Sequence, residues 1–152
     1  MPAAPQFCTF FLEKLLFGVE LNGVQEVVRA LDVTPVPLAP KAVRGIINLR
    51  GQIVTAIDLR CQLEIEPRQK EEPPMNVVVR SEDGAVSLLV DHIGDVIEAE
   101  VSNFERPPET LSPNIRSMIA GVHKLDGKLM HVLDIAKACR MGEAAEAGII
   151  RA

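Results

Sequence analysis

The chain alternates between short apolar runs and polar, often Gly-containing, turns. Glu13-Lys14 separates the first two runs, and Arg50-Gly51 and Asp126-Gly127 separate two later pairs. Short runs bounded by such turn residues predict β-strands joined as antiparallel hairpins. We predict strands over residues 7–12, 15–19, 26–31, 44–49, 52–59, 75–80, 85–90, 96–99, 118–125 and 128–133.

Proline and charge mark the connections between these strands. Residues 34–40 hold three prolines, which excludes a helix interior or a central strand and predicts an extended connection. Residues 67–74 are rich in charge and proline and predict a linker or a mobile loop. We also predict a short helix or bend over 21–27, an irregular segment over 106–113, a short helix over 135–141 and flexible ends over about 1–6 and 142–152.

Most of the predicted strands are apolar on both faces, which indicates burial on both sides. A small barrel that is filled inside and packed against a neighbour outside gives this pattern. With 152 residues, of which 47% are hydrophobic and only 3% aromatic, the chain is the size of one domain with a core of Val, Ile and Leu. The fold class predicted is all-β, with short helices.

Charge and composition exclude several functional classes. The net charge of −5 argues against nucleic acid, because Lys and Arg drive binding to phosphates, and aromatic side chains for stacking bases are few. No apolar run approaches the roughly 20 residues of a membrane span, so we expect no direct membrane insertion. The three widely spaced cysteines favour a reducing cytosol over a disulfide framework.

The polar residues do not form a catalytic or metal-binding pattern. No His is paired with a plausible nucleophile, and no Gly-rich phosphate loop is present. A two-residue turn at 126–127 pairs residue 123 with residue 130, so His123 and His131 should face opposite ways. The sequence therefore predicts no enzyme, no cofactor and no metal site.

An internal repeat covers most of the chain. Residues 44–59 align with 120–135, with Gly45 on Gly121 and Asp58 on Asp134. Upstream, residues 21–28 align with 90–97, at an offset of 69 instead of 76. A unit of this size is hardly stable alone, so we expect two similar subdomains that share one core. The first repeat spans about 15–66 and the second about 75–140.

One position breaks the repeat: Arg50 in the first copy is Asp126 in the second. Asp-Gly is among the best sequences for a two-residue hairpin turn, because both residues tolerate positive φ. Arg is not a favoured turn former. Two interpretations stay open: a solvated Arg in a slightly wider turn, or an Arg that faces a partner, since Arg is over-represented in binding hot spots.

The combined pattern resembles the CheW family, the adaptor proteins of bacterial chemotaxis arrays. The resemblance is carried by GIINLRGQIV at 45–54 with IDLR at 57–60, by FGVE at 17–20, by LLVD at 88–91 and by GVHKLDG at 121–127. It covers nearly the whole chain, as one CheW-like domain over 1–152. It implies two interlocked five-stranded SH3-like β-barrels, related by the duplication.

The resemblance also implies a function without catalysis. A CheW-like protein bridges the cytoplasmic tip of a chemoreceptor and the regulatory domain of the histidine kinase CheA, so the implied location is the cytoplasm, at membrane-associated receptor arrays. The alternatives are a CheW-like adaptor of a pathway that does not control motility, and a self-assembling array scaffold. The residues that contact the kinase are not identified by the pattern.

The resemblance places a receptor-binding groove between the two subdomains. Val24 and Val96, taken as equivalent positions in the two halves, would line it, and the glycines would allow close backbone approach. Glu26 and Arg50 would pair at the rim and orient Arg50, since an exposed ion pair stabilises a fold by only about 0–1 kcal/mol. The implied groove residues are Val24, Glu26, Gly45, Arg50, Gly51, Val96 and Gly121.

Overall fold

The computed structural model describes residues 4–29, 31–66, 73–82 and 84–140. Eleven strands and three short helices are assigned within these ranges, together with two single 3₁₀ turns at Leu21–Gly23 and Val101–Asn103. The strands are β1 Gln6–Leu12, β2 Leu15–Glu20, β3 Val24–Val28, β4 Val43–Leu49, β5 Gln52–Asp58, β6 Met75–Ser81, β7 Gly84–Val90, β8 His92–Glu98, β9 Phe104–Glu105, β10 Ile119–Leu125 and β11 Lys128–Leu133. The helices are α1 Leu59–Gln62, α2 Pro113–Met118 and α3 Ile135–Cys139.

Each of the ten predicted strands is present, but several predictions are wrong in detail. β3 spans Val24–Val28 instead of residues 26–31, so the predicted helix or bend over 21–27 is reduced to the 3₁₀ turn at Leu21–Gly23. α1 and β9 were not predicted. β8 begins at His92 instead of residue 96, because a register shift opposite Cys8 and Phe10 accommodates the weak strand formers in its middle. α2 was missed: Ser112 caps its start and Pro113 occupies the first turn, so a helix signal was taken for a proline-rich loop. Most of the predicted 67–74 linker and the 142–152 end lie outside the described residues.

The strands form two sheets, and each sheet mixes the two halves of the chain. One sheet has the order β8-β1-β2-β11-β10-β9, and the other has the order β3-β6-β7-β5-β4. The hairpin β1–β2 therefore completes the sheet of the C-terminal strands, while β6–β7 completes the sheet of β3, β4 and β5. The subdomains are interlocked by this exchange of hairpins.

Strand pairing supports the duplication at the level of single residues. β2 and β11 are parallel, with Phe17 opposite His131, and β7 and β5 are parallel, with Val86 opposite Thr55. These two pairs correspond under the offsets read from the sequence. Register shifts at Gly45 in β4 and at Gly121 in β10 correspond in the same way. The repeat limits of 15–66 and 75–140 stay a prediction.

Aspartates at equivalent positions start two of the helices. The carboxylate of Asp58 accepts a hydrogen bond from the Cys61 amide at the start of α1, and that of Asp134 accepts one from the Lys137 amide at the start of α3. Such capping oxygens satisfy amides that a helix start leaves unpaired. The repeat therefore preserves Asp at this position to turn the chain from a strand into a helix.

Three apolar clusters hold the fold. The largest draws side chains from both sheets and from all three helices, and includes Phe10, Phe17 and Leu88. A second cluster lies within the β3-β6-β7-β5-β4 sheet and receives side chains from all five of its strands. A third, around Phe7 and Met130, lies within the other sheet. Full burial of one such side chain contributes about 1.5–3 kcal/mol, so these clusters dominate stability.

A sheet that curls around its own core brings side chains from every strand into one cluster, as in the β3-β6-β7-β5-β4 sheet. The β3-β6-β7-β5-β4 sheet has the five strands that the SH3-like prediction requires. The other sheet has six, because the two-residue β9 adds to the edge of β10. The closure of each sheet into a barrel stays a prediction.

A buried ion pair links three connections between strands. Arg60 in α1 donates to the carboxylate of Asp91, between β7 and β8, and both side chains are almost fully buried. The Asp91 carboxylate also accepts from the Glu13 amide in the β1–β2 turn at 2.8 Å. The hydrogen bonds to Asp91 raise the pKa of the Arg60 guanidinium. The pair fixes α1 and the β1–β2 hairpin to the centre of the molecule.

Candidate protein-binding site

The Arg50-Gly51 turn is a tight two-residue hairpin loop. Leu49 pairs directly with Gln52 across it, and φ is +52° at Arg50 and +87° at Gly51. Positive φ at both central residues matches the right-handed twist of the flanking strands. The turn is therefore not widened to accommodate Arg, so that part of the structural interpretation is wrong, whereas the Arg50 side chain is largely exposed, as the same interpretation expected.

The equivalent Asp126-Gly127 turn adopts a different backbone. Leu125 pairs with Lys128, so the loop length is the same, but only Gly127 has a positive φ, at +78°. The predicted two-residue turn at Asp126-Gly127 is therefore confirmed, although Asp126 does not adopt the positive φ that Asp tolerates. A non-Gly residue in the left-handed region costs about 1–2 kcal/mol. The chain thus accepts strain at Arg50 that it avoids at Asp126.

The predicted ion pair between Glu26 and Arg50 is confirmed. Arg50 Nη1 lies 2.8 Å from Glu26 Oε2, with 79% of the Arg50 side chain exposed and 17% of the Glu26 side chain. Glu26 lies on β3 and Arg50 at the end of β4, which are the two edge strands of their sheet. The pair therefore connects the edges of the sheet, while most of the Arg50 side chain stays exposed.

The second half does not contain this contact, because its charges do not permit it. The residues equivalent to Glu26 and Arg50 are Asp95 and Asp126, which are both acidic. Two carboxylates at these places repel each other instead of pairing. The Glu26–Arg50 contact is therefore one chemical asymmetry between the two halves.

Gly45 and Gly121 each lie directly against another segment of the same chain. A Cβ at Gly45 would overlap the Thr34 carbonyl, which forms a bridge with Ile46, and φ at Gly45 is +149°. A Cβ at Gly121 would meet the Phe104 ring and, at 2.6 Å, the Glu105 carbonyl oxygen. Both glycines thus admit an extra strand segment beside a register shift. Their assignment to a receptor groove stays a prediction.

The two valines assigned to the groove are not equivalent. The alignment that pairs Glu26 with Asp95 places Val24 on Ile93 and Val27 on Val96, so the sequence interpretation misassigned them. Val24 is half-buried and packs against the central cluster, whereas 51% of Val96 is exposed. Val27 is also exposed, so the symmetric apolar pair that faces solvent is Val27 and Val96.

Asn48 is a polar residue beside the Arg50 turn that sequence reasoning did not single out. Its side-chain oxygen accepts a hydrogen bond from the Gly51 amide at 2.8 Å, across the Arg50 turn. Asn with Gly three residues later is an Asx-turn pattern, so a signal was present in the sequence. The equivalent residue in the second half is Lys124, which has no oxygen to accept this bond.

His123 is a polar residue of β10 that lies among apolar side chains of the six-stranded sheet. It pairs with Met130, contacts the rings of Phe7 and Phe104, and its Nδ1 is buried without a hydrogen-bond partner. Burial lowers the pKa of His123, so the ring is neutral at neutral pH. His131 pairs with Val122 and faces the other way, as predicted, and its Nδ1 donates to the Leu16 carbonyl.

The part of the chain that the structure describes offers no metal-ligand cluster of three or more His, Cys, Asp or Glu side chains. Within those same residues, no helix has both the length and the apolar character that crossing a bilayer requires. The polar groups at the Arg50 turn provide one exposed cation, one carboxylate and one amide oxygen.

Comparison with known proteins agrees with the geometry. The family model described as CheW-like domain matches residues 6–143. The chain is 32% identical to the chemotaxis protein CheW of Treponema pallidum, over 87% of this chain and 80% of that protein. It is 28% identical to the chemotaxis protein CheW of Thermotoga maritima, over 85% of this chain and 83% of that protein.

A solved structure shares the fold. The crystal structure of the scaffolding protein TtCheW from Thermoanaerobacter tengcongensis superposes with a TM-score of 0.80 and 28% identity, covering 89% of this chain and 92% of that chain. The two mixed sheets, the duplicated strand order and the matched sequence lead to one conclusion. The chain belongs to the CheW-like domain family, which consists of non-catalytic adaptors.

Proposed function

We propose that this protein is a chemotaxis adaptor that couples chemoreceptors to a CheA-type histidine kinase. The family relationship supports this role over most of the chain. In this proposal the receptor contributes its cytoplasmic tip and the kinase its regulatory domain, and the adaptor is a cytoplasmic protein recruited to membrane-associated receptor arrays.

The observation that carries the receptor-binding part is the Arg50 turn. Arg50 is held in a strained backbone conformation and paired on one side with Glu26, yet most of its side chain remains exposed. An exposed ion pair contributes only about 0–1 kcal/mol to folding, which does not offset the strain. A binding role accounts for a cation kept at this place, since partly desolvated arginines are frequent hot spots in protein interfaces.

We place the receptor-binding groove beside this turn, with Glu26, Arg50 and Gly51 at its rim. Val96 and Val24 supply apolar surface on β8 and β3 in this proposal, and the exposed Val27 joins them as the counterpart of Val96. Gly45 and Gly121 contribute indirectly, because they fix the edges of β4 and β10. An amphipathic receptor helix is a suitable occupant of such a groove.

Arg50→Asn separates binding from turn geometry, because Asn tolerates the left-handed conformation that Arg50 adopts. The matched control is Asp126→Asn in the equivalent turn. Each tagged protein is used to capture partners from native lysate, and bound proteins are identified by mass spectrometry. We expect the wild type and the control to recover a CheA-like kinase and a chemoreceptor, and Arg50→Asn to lose the receptor at least about tenfold while keeping the kinase.

Two outcomes count against the proposal. Recovery of neither partner by the wild type would show that the adaptor function is wrong for this chain. Full recovery of the receptor by Arg50→Asn would show that Arg50 lies outside the receptor contact, even if the adaptor function holds.

A further inference from the structure

We propose that Asn48 is a positioning residue, whose side chain holds the turn in the left-handed conformation that directs Arg50 toward Glu26 and the receptor. The inference starts from two hairpins of equal length with different turns. Residues 49–52 and 125–128 close in the same register, but only the first places its leading turn residue at positive φ. The flanking apolar residues match, so another residue selects the backbone.

The difference between the hairpins is concentrated in the polar residues. Asn48 accepts from the Gly51 amide at 2.8 Å, and this bond spans the turn that contains Arg50. Lys124 stands at the same place in the second hairpin and instead pairs with Glu105 of β9 at 3.2 Å. An acceptor two or three residues before an amide stabilises a turn by mimicking a backbone carbonyl. The left-handed turn is thus found where the acceptor is present.

The backbone conformation at Arg50 decides where its side chain points. A change of φ from positive to negative rotates the Cα–Cβ bond, and the guanidinium then leaves the position 2.8 Å from the Glu26 carboxylate. Asn48 itself is exposed on β4, on the strand face away from the buried Ile47 and Leu49. Its removal therefore leaves the apolar cluster of this sheet intact, and its effect is local to the turn.

The part of this inference that concerns receptor affinity rests on the proposed function, whereas the part that concerns the turn does not. Four proteins test both parts: the wild type, Asn48→Ala, the conservative Asn48→Asp, which retains an acceptor oxygen, and Lys124→Ala as the matched control in the second hairpin. The first readout is the one-bond Cα–Hα coupling of residue 50 by NMR, which distinguishes positive from negative φ. The second is the affinity for a recombinant cytoplasmic fragment of a chemoreceptor from the same genome.

We expect Asn48→Ala to move residue 50 to negative φ and to weaken fragment binding about fivefold, and Asn48→Asp to restore both to wild-type values. Lys124→Ala should change neither. Positive φ at residue 50 in Asn48→Ala would overturn the proposal, and so would a loss that Asn48→Asp does not rescue. If the wild type fails to bind the fragment, the proposed function is wrong, and the coupling at residue 50 still decides whether Asn48 sets the turn.

Discussion

Single residues carry the differences between the two halves of this protein. Arg50 and Asp126 occupy one position in two copies of a hairpin, and His123 stands where the first copy has the buried Ile47. Both replacements place a group that lowers folding stability: a left-handed Arg in one case and an unsatisfied imidazole nitrogen in the other. The first has a binding explanation, and the second has a consequence for stability.

His123 makes stability depend on pH. Burial holds its pKa below the ordinary value of 6.5, so the unfolded chain binds a proton at a higher pH than the folded chain does. The free energy of unfolding therefore falls as the pH is lowered through and below 6.5. The titratable residues nearest along the paired strands are Glu105 and Lys124, which pair with each other, and His131, which faces the opposite side of the sheet.

We predict that His123→Ile, which copies the first half, raises the free energy of unfolding at pH 7 by about 1 kcal/mol, because it removes a buried unsatisfied nitrogen. Its stability should also fall less than that of the wild type between pH 7 and pH 5.5. Urea unfolding at several pH values measures both effects. A parallel decline in the two proteins would mean that other groups cause the acid sensitivity.

At the scale of elements, the register shifts determine how the edge segments attach. Gly45 and Gly121 occur at corresponding register shifts. Thr34 attaches to β4 beside Gly45, and β9 attaches to β10 of the other sheet beside Gly121. The neighbour of Gly45 is a backbone carbonyl, which cannot rotate away, whereas Gly121 faces a Phe104 ring as well as a carbonyl. The same substitution should therefore have graded costs.

We predict that Gly45→Ala destabilises the protein most, by about 2–4 kcal/mol, since it adds a backbone clash to an unfavourable φ. Gly121→Ala should cost less, because φ at Gly121 lies outside the left-handed region and the added Cβ would lie 2.6 Å from the Glu105 carbonyl oxygen, against 2.1 Å from the Thr34 oxygen at Gly45. Gly51→Ala, with a positive φ but open space around it, should cost about 1 kcal/mol. Midpoints of urea unfolding give the order, and an equal loss for Gly45 and Gly51 would contradict the role of Thr34.

Sequence reasoning located the elements well because their signals are local. Apolar runs and turn residues specify strands such as β4 and β5, and the Glu26–Arg50 pair followed from opposite charges at matching places in the resemblance. The conformation of the Arg50 turn did not follow, since it depends on a hydrogen bond from Gly51 to the Asn48 side chain. The start of β8 was missed because a register shift lets poor strand formers remain in a strand.

At the scale of the whole molecule, one buried ion pair joins segments that lie far apart in the sequence. Arg60 and Asp91 bring together α1, the β7–β8 connection and the β1–β2 turn. Removing one partner leaves a buried charge without its counterpart, which costs far more than loss of an exposed pair. Arg44 and Asp58 provide the comparison, at 2.6 Å, with 59% of the Arg44 side chain exposed.

We predict that Arg60→Ala lowers the free energy of unfolding by about 3–5 kcal/mol, while Arg44→Ala lowers it by about 1 kcal/mol or less. Both substitutions remove an Arg that donates to an Asp, and Arg60 additionally donates to the Glu66 carbonyl, so the contrast compares a buried, multiply bonded Arg with an exposed one. Chemical denaturation monitored by circular dichroism measures the two values. Losses of similar size would mean that the Arg60–Asp91 pair is not the element that fixes the hairpin in place.

The exchange of hairpins between the sheets has a consequence for biosynthesis. β2 emerges early from the ribosome, but its parallel partner is β11. The Leu16 carbonyl accepts its hydrogen bond from His131, which is 115 residues further along the chain. At about 5–20 residues per second, synthesis of that stretch takes roughly 6–23 s, during which the inner edge of the first hairpin has no native neighbour. The sheet that is begun first is thus completed last, and until then its unpaired strand edge is a surface at which nascent chains can pair with each other.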